Sequence, residues 1–207
     1  MDTHNQWLRW AKQLQAIAQN GLYFSQDNFD RERYEQIRHL SAEILAHHSE
    51  HNVNKVEAIF ANETGYATPK IDVRGVVFKD KKILLVREQQ DGRWSLPGGW
   101  VDAGDAPSVA IEKEIVQESG FIAKAVKLLA LYDKLQHPYP PQWPHIYKAF
   151  FLCEIIGGEP HTSIETTAVD FFALDNLPPL SLHRIIPEHI HRMYELVQDP
   201  QAATDFD

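Results

Sequence analysis

Apolar and small residues recur at helical spacing through the first third of the chain. Trp7, Trp10, Ala11, Leu14, Ile17 and Ala18 form one stripe, and beyond the polar stretch SQDNFD the period returns as Tyr34, Ile37, Leu40, Ser41, Ile44 and Leu45. The pattern predicts a helical hairpin. Its second helix starts within Asp27 to Asp30, where short polar side chains cap free amides. A third helical piece follows around Val56 to Phe60, and NETGYATPK has the Gly, Thr and Pro of a connection. From Ile71 the pattern becomes that of strands. IDVRGVVF and KILLVR flank the charged tip Lys79 to Lys81 as a hairpin, and VKLLALYD, HIYKAFFLCEI and VDFFAL follow as later strands. A last helix is expected from Pro187 to Gln198, with proline in its first turn, and the tail QDPQAATDFD reads as disordered. Strands wrapped around at least two helices imply an α/β sandwich behind a small all-α N-terminal domain, divided as residues 1–65 and 66–207.

Composition narrows the function. With 207 residues, 43% of them hydrophobic, the chain can bury a core. No apolar run approaches the roughly 18 residues that cross a bilayer and the opening MDTHNQ is polar, so the expected location is the cytoplasm, with no membrane partner. The single cysteine, Cys153, lies in the apolar run YKAFFLC and is expected to be a buried, inert thiol. A net charge of −9 disfavours DNA as a partner, and residues 1–65 hold six Lys or Arg against nine Asp or Glu, the wrong sign for a DNA-reading domain. A small anionic ligand bridged by metal remains compatible with that charge.

The most informative stretch is LPGGWVDAGDAPSVAIEKEIVQESGF, Leu96 to Phe121. Asp105 can cap, Pro107 suits a first turn and Gly120 suits a left-handed stop, which predicts a helix over about 106–119. At about 100° per residue, Glu114, Gln117 and Glu118 share an arc of about 100°. Like charges four residues apart cost a helix roughly 0.2–0.5 kcal/mol, so their placement suggests a cation between them. A hard divalent ion takes oxygen ligands of this kind and completes its shell with phosphate oxygens.

The spacing is Gly99, five residues, Asp105, seven residues, Lys113-Glu114-Ile115, one residue, Gln117-Glu118, one residue, Gly120-Phe121. It resembles the Nudix box, with Gly99, Glu114, Ile115, Glu118 and Gly120 matching outright. Asp105 stands for Glu, Lys113 for Arg, Gln117 for the first Glu of the pair and Phe121 for an aliphatic. The helical N-terminal region together with GYATPKIDVRG, GRWSLPGGW, IYKAFFLCEI and LPPLSLHR resembles the Nudix subfamily of CDP-choline and ADP-ribose pyrophosphatases. The resemblance implies a Nudix α/β/α sandwich with a mixed sheet, and cleavage of a nucleoside diphosphate derivative to a nucleoside monophosphate and a phosphorylated remainder. It further implies Mg²⁺, with Mn²⁺ as the alternative ion, on Glu114, Glu118 and the Gly98 carbonyl. Gln117 could add only a neutral amide oxygen, and Lys113, paired with Asp105, would brace the catalytic Glu as a point charge rather than a fork.

Outside the box, Glu165 in SIETTAVDFF is the candidate for a further ligand or general base. Arg74 and Arg87, from a segment (Lys70 to Arg93) with seven Lys or Arg against four acids, are the candidates for substrate phosphate. Tyr139 and Trp143 in the proline-rich loop could stack a base, or pack as a rigid surface loop. His47, His48 and His51 lack a third zinc ligand at a motif distance, and His189 and His191 point to different faces of a helix, so neither set is expected to hold metal. The Trp7, Trp10 and Leu14 stripe reads as core or dimer contact. The N-terminal hairpin would then dimerise the chain or cover the cleft. The rival to an enzyme is a Nudix domain that senses a nucleotide without cleaving it, supported by Gln117 and Lys113 and opposed by the retention of Glu114 and Glu118.

Overall fold

The structure is a computed structural model that describes residues 6–50 and 52–207, so His51 lies outside the described residues. The chain divides into two compact units, residues 1–68 and 69–207.

The first unit is three helices, α1 (Gln6–Phe24), α2 (Asn28–His47) and α3 (Val53–Asn62). Asp27 caps α2 by accepting from the Asp30 N–H, and Asn52 caps α3 by accepting from Lys55 N–H. The apolar stripe of α1 splits in two. Leu8, Ala11 and Ala18 are buried, and Ser41 of α2 donates to the Ala11 carbonyl at 2.7 Å. Trp10 and Ile17 stand 55% and 53% exposed on a second stripe. Both therefore lie outside the core of this unit.

The second unit is built on two sheets. One has the order β1 (Lys70–Val76), β6 (Ile146–Gly158), β5 (Phe121–Asp133), β8 (Asp205–Phe206), with β1 parallel to β6 and β5 antiparallel to it. The other pairs β3 (Lys82–Glu88) with β2 (Phe78–Lys79), β4 (Trp94–Ser95) and β7 (Thr166–Ala173). Asp80 and Lys81 take left-handed φ angles of 50° and 61°, the conformation a tight β2–β3 hairpin requires. Helix α4 (Pro107–Ser119) packs Ala110, Ile111 and Ile115 into a core with Val73, Val77, Ala149 and Cys153. Gly75 leaves the room for Ile115, because a Cβ there would lie 2.8 Å from its Cδ1. Helix α5 (Pro187–Gln198) buries Ile190, Met193 and Leu196 in a separate core with Phe150, Leu85 and Leu129. Cys153 is buried in the first of these cores, beside α4, and burial raises its thiol pKa to about 12.

The tail departs from expectation. Asp205 and Phe206 pair in parallel with Ala130 and Leu131 at the edge of β5, and Thr204 Oγ1 donates to the Leu128 carbonyl. Arg192 and Tyr132 both hold the Asp205 carboxylate, at 2.7 and 2.9 Å. Composition could not report this, because the ordering comes from an unfilled strand edge about 75 residues earlier in the chain.

Candidate active site

The site is assembled by one stretch of backbone laid against β1. Val73 N–H donates to Gly99 O, Gly75 N–H to Pro97 O and Val101 N–H to Ile71 O, at 2.8–3.1 Å, so residues 97–101 run beside the strand. Gly98 holds a φ of 139°, and a Cβ there would collide with the Val73 carbonyl. Its freed N–H donates to Glu118 Oε2 at 2.7 Å. Gly99 is the complement: a Cβ there would sit 2.8 Å from Glu114 Oε1. The two glycines therefore let two carboxylates of α4 press against bare backbone.

The C-terminal end of α4 is fixed as firmly. Gly120 closes the helix in the left-handed conformation, its N–H donating to Val116 O. Thr166 Oγ1 donates to the Glu118 carbonyl, tying the helix end to the start of β7. Just before it, Glu165 is brought to the same cleft, its carbonyl accepting from Gln89 N–H at the end of β3.

The cleft encloses about 920 Å³ and is lined by Glu114, Glu118, Glu165, Glu88, Asp72, Asp91 and Asp102, with Arg74, Lys134, Arg184 and His183 as its basic residues. Glu118 is only 5% exposed, and burial pushes its carboxyl up to about 8 against the opposing pull of Arg74 and the Gly98 N–H. Burial also raises Glu114, with Glu165, Asp72 and Asp102 adding repulsion. Burial thus raises both neighbouring acids, and positive charge placed between them would offset that cost.

Arg74, whose field lowers both acids against that burial, is committed elsewhere. Arg74 forks onto Asp72 at 2.7 and 2.8 Å and donates a third bond to the Leu96 carbonyl at 3.1 Å. Lys148, opposite Asp72 in the β1–β6 register, joins the same carboxylate at 3.0 Å. Burial alone would raise Asp72, but Arg74 and Lys148 outweigh it and lower its pKa to about 2. On the far wall Arg184 holds Glu88 at 3.1 Å and Gln90 at 2.7 Å.

The residues expected from sequence fall into three groups. Gly98, Glu114, Glu118 and Glu165 line one cleft. Lys113 and Asp105 meet just outside it, where Lys113 Nζ donates to both Asp105 oxygens at 2.7–2.9 Å. Asp105 is thereby taken from capping: Ala106 is the N-cap of α4 and makes no side-chain cap bond. The remainder are placed differently. Gln117 is exposed and does not line the cleft, because the packed stripe of α4 runs through Ala110, Ile111, Ile115 and Glu118 and Gln117 lies at its outer edge. Arg74 lines the cleft, but as the buried partner of Asp72. Arg87 is exposed, with Nε on the Gly92 carbonyl at 2.8 Å, and holds the β3–β4 loop. Tyr139 is buried with its hydroxyl 2.9 Å from His189 Nδ1, and Lys134 and Lys148 lie over its ring, so it offers no open face; Trp143 is not in the cleft wall either.

Asp72, Lys148, Glu88, Arg184 and Trp100 were missed. A signal existed for the first two. In IDVRG the charged residues alternate with apolar ones, so Asp72 and Arg74 share a strand face, and YKAFF carries a lone lysine in an apolar strand. Nothing in the sequence marks the Glu88–Arg184 pair, which joins residues 96 positions apart.

Comparison with known proteins agrees with this geometry. A family model described as the NUDIX domain matches residues 68–194, and one described as a UDP-X-like N-terminal oligomerisation domain matches residues 5–60. The Bacillus subtilis (strain 168) protein named "Putative ADP-ribose pyrophosphatase YjhB" is 45% identical over 201 residues, 97% of each chain. A UDP-X diphosphatase of known structure superposes with a TM-score of 0.65 at 36% identity, covering 98% of each chain. An ADP-ribose pyrophosphatase from Streptococcus suis 89-1591 superposes at 0.62 with 39% identity, over 68% of this chain and all of that one. With the box carboxylates gathered on α4 and a Nudix match across the second unit, the chain belongs to the Nudix hydrolase family, as a pyrophosphatase that carries the UDP-X-like N-terminal domain.

Proposed function

We propose that the chain is a divalent-metal-dependent pyrophosphohydrolase of nucleoside diphosphates linked to a second group, of the ADP-ribose, CDP-choline or UDP-X kind. The products would be a nucleoside monophosphate and a phosphorylated remainder. The observation that carries the reading is the pair Glu114 and Glu118, held half-buried against Gly99 and buried on the Gly98 N–H respectively, with burial raising both. The names of similar proteins, ADP-ribose pyrophosphatase and UDP-X diphosphatase, support it.

The donor set suits Mg²⁺, or Mn²⁺: two carboxylates and the Gly98 carbonyl are hard oxygens, and the space a Gly99 side chain would fill is given to Glu114. Such an ion keeps several waters and accepts phosphate oxygens, so the substrate diphosphate would complete its shell. A bound ion would neutralise the diphosphate and lower the pKa of a water. Around it, Gly98 N–H orients Glu118, the Lys113–Asp105 pair braces the outer side of α4, and Glu165 serves as the loop base that takes a proton from the attacking water. The N-terminal helices make the homodimer contact, supported by the exposed Trp10 and Ile17 and by the oligomerisation domain they match.

The test is a panel of ADP-ribose, CDP-choline, UDP-sugars and dinucleoside polyphosphates incubated with Mg²⁺ or Mn²⁺, with products separated by chromatography. Release of nucleoside monophosphate from at least one member is expected. No turnover of any member with either ion would sink the reading.

A further inference from the structure

Trp100 is 46% exposed and lines the cleft. Leaving an indole open forgoes the burial of one of the largest apolar surfaces a side chain offers, so an open tryptophan in a pocket asks what covers it. The wall around it is polar. Apart from the glycines, Ile146 is the one other apolar residue among the described residues facing the cleft.

The placement of Trp100 is set by backbone. It forms an antiparallel bridge with Asp72, closed by the bonds from Val73 N–H to Gly99 O and from Val101 N–H to Ile71 O. Directly opposed residues of an antiparallel bridge project to the same side, so Trp100 extends to the side on which buried Asp72 faces the cleft. It follows Gly98, the residue that holds Glu118, by two positions, and two residues of extended chain span roughly 7 Å. That is the scale of the ribose separating a base from its phosphate. Tyr139 and Trp143, the other aromatic candidates, are absent from this wall.

We propose that Trp100 is the platform on which the nucleobase of the substrate stacks, while the diphosphate lies toward Glu114 and Glu118; this rests on the reading of the cleft as a nucleotide pyrophosphatase site. The base is then gripped mainly by its π face, and every base has one.

The experiment compares binding of AMP and of ribose 5-phosphate to the full chain by calorimetry in Mg²⁺, for wild type, Trp100→Ala and Trp100→Phe, each with its melting temperature measured. Wild type should bind AMP about 5-fold or more tightly than ribose 5-phosphate, the scale of aromatic stacking on a base. Trp100→Ala should close that gap and raise KM for a nucleoside diphosphate substrate with kcat little changed, and Trp100→Phe should keep most of it. A gap that survives Trp100→Ala in a protein of unaltered melting temperature overturns the platform, as does the absence of a gap in wild type. A wild-type protein that shows the gap yet hydrolyses no member of the substrate panel would sustain the platform and sink the hydrolase reading.

Discussion

Asp72 and Glu118 are carboxylates of one cleft, 6% and 5% exposed, and their surroundings drive them in opposite directions. Asp72 receives the fork of Arg74 and the ammonium of Lys148, which lower its pKa to about 2 despite burial. Glu118 receives one backbone N–H and the distant field of an arginine already spent on Asp72, and burial pushes it up to about 8. Solvent access does not distinguish them; the supply of positive charge does. The protein supplies the first acid with its counter-charge and gives the second only a backbone N–H, so at similar burial it is the supply of positive charge that separates them.

The largest expected effect follows from removing the Glu118 charge. Glu118→Gln keeps the shape and an oxygen for the Gly98 N–H, but withdraws a ligand charge from the reacting end of the cleft. Hydrolysis at saturating metal should fall on the order of 100-fold or more, the scale of a single electrostatic contributor to a transition state. Melting temperature measured in chelator should hold or rise, because a poorly compensated buried carboxylate is gone. A variant with near wild-type kcat would remove Glu118 from the metal site.

Asp72→Asn should behave in the reverse manner. It strands Arg74, 4% exposed, and Lys148, 1% exposed, without their shared counter-charge, a loss of about 3–5 kcal/mol for a broken buried pair. The pH dependence separates the two acids further. Because the folded-state pKa of Asp72 is lowered from 3.8 to about 2, its contribution is present above about pH 4 and is lost as pH falls through 2. The contribution is roughly 2–3 kcal/mol, so the wild-type urea midpoint should decline over that window. The decline should be shallower in Asp72→Asn, and equal slopes would mean that another carboxylate controls the acid limb.

This contrast was half legible in the sequence. Glu118 and Glu114 announce themselves because a helix has a fixed period, glycines mark both ends of the stretch and the spacing is local. The helices of the first unit and the Pro187 start of α5 were legible for the same reason. Asp72 was only partly so: its alternation with Arg74 is a strand signal, but that Lys148 stands beside it depends on a parallel pairing of strands 76 residues apart. The β8 strand and the Glu88–Arg184 pair depend wholly on such distant partners. Arg74 and Arg87 show the cost of reading charge without direction, since one was spent inside the fold and the other on a loop carbonyl.

Arg87→Ala should therefore touch neither acid. Its side-chain hydrogen bond is to the Gly92 carbonyl on an exposed surface, so KM should stay within about twofold of wild type. Loss of one such bond, net about 0.5–1.5 kcal/mol, should lower the melting temperature by a few degrees at most. A rise in KM of about tenfold or more, with the fold intact, would restore Arg87 as a phosphate contact.

The smallest effect is expected at Gln117, and it is the sharpest test of where the metal site ends. Helix period alone places Gln117 within the same arc as Glu114 and Glu118, and on that ground Gln117→Glu should return a third carboxylate to the metal site and lower the free Mg²⁺ needed for half-maximal rate. The folded helix argues otherwise. Its packed stripe passes through Ala110, Ile111, Ile115 and Glu118, and Gln117 stands exposed at the outer edge, away from the residues that line the cleft. A carboxylate there would stand in water, where two unit charges 4 Å apart interact by only about 1 kcal/mol, and outside the cleft wall it would not act as a ligand. Metal titrations of activity for wild type and Gln117→Glu should therefore superimpose within about twofold, with melting temperatures within the range of a neutral surface change. A clear shift of the mutant curve to lower Mg²⁺ would mean that α4 turns or the site closes when metal and substrate bind, and that the third box position rejoins the cluster only in the loaded enzyme.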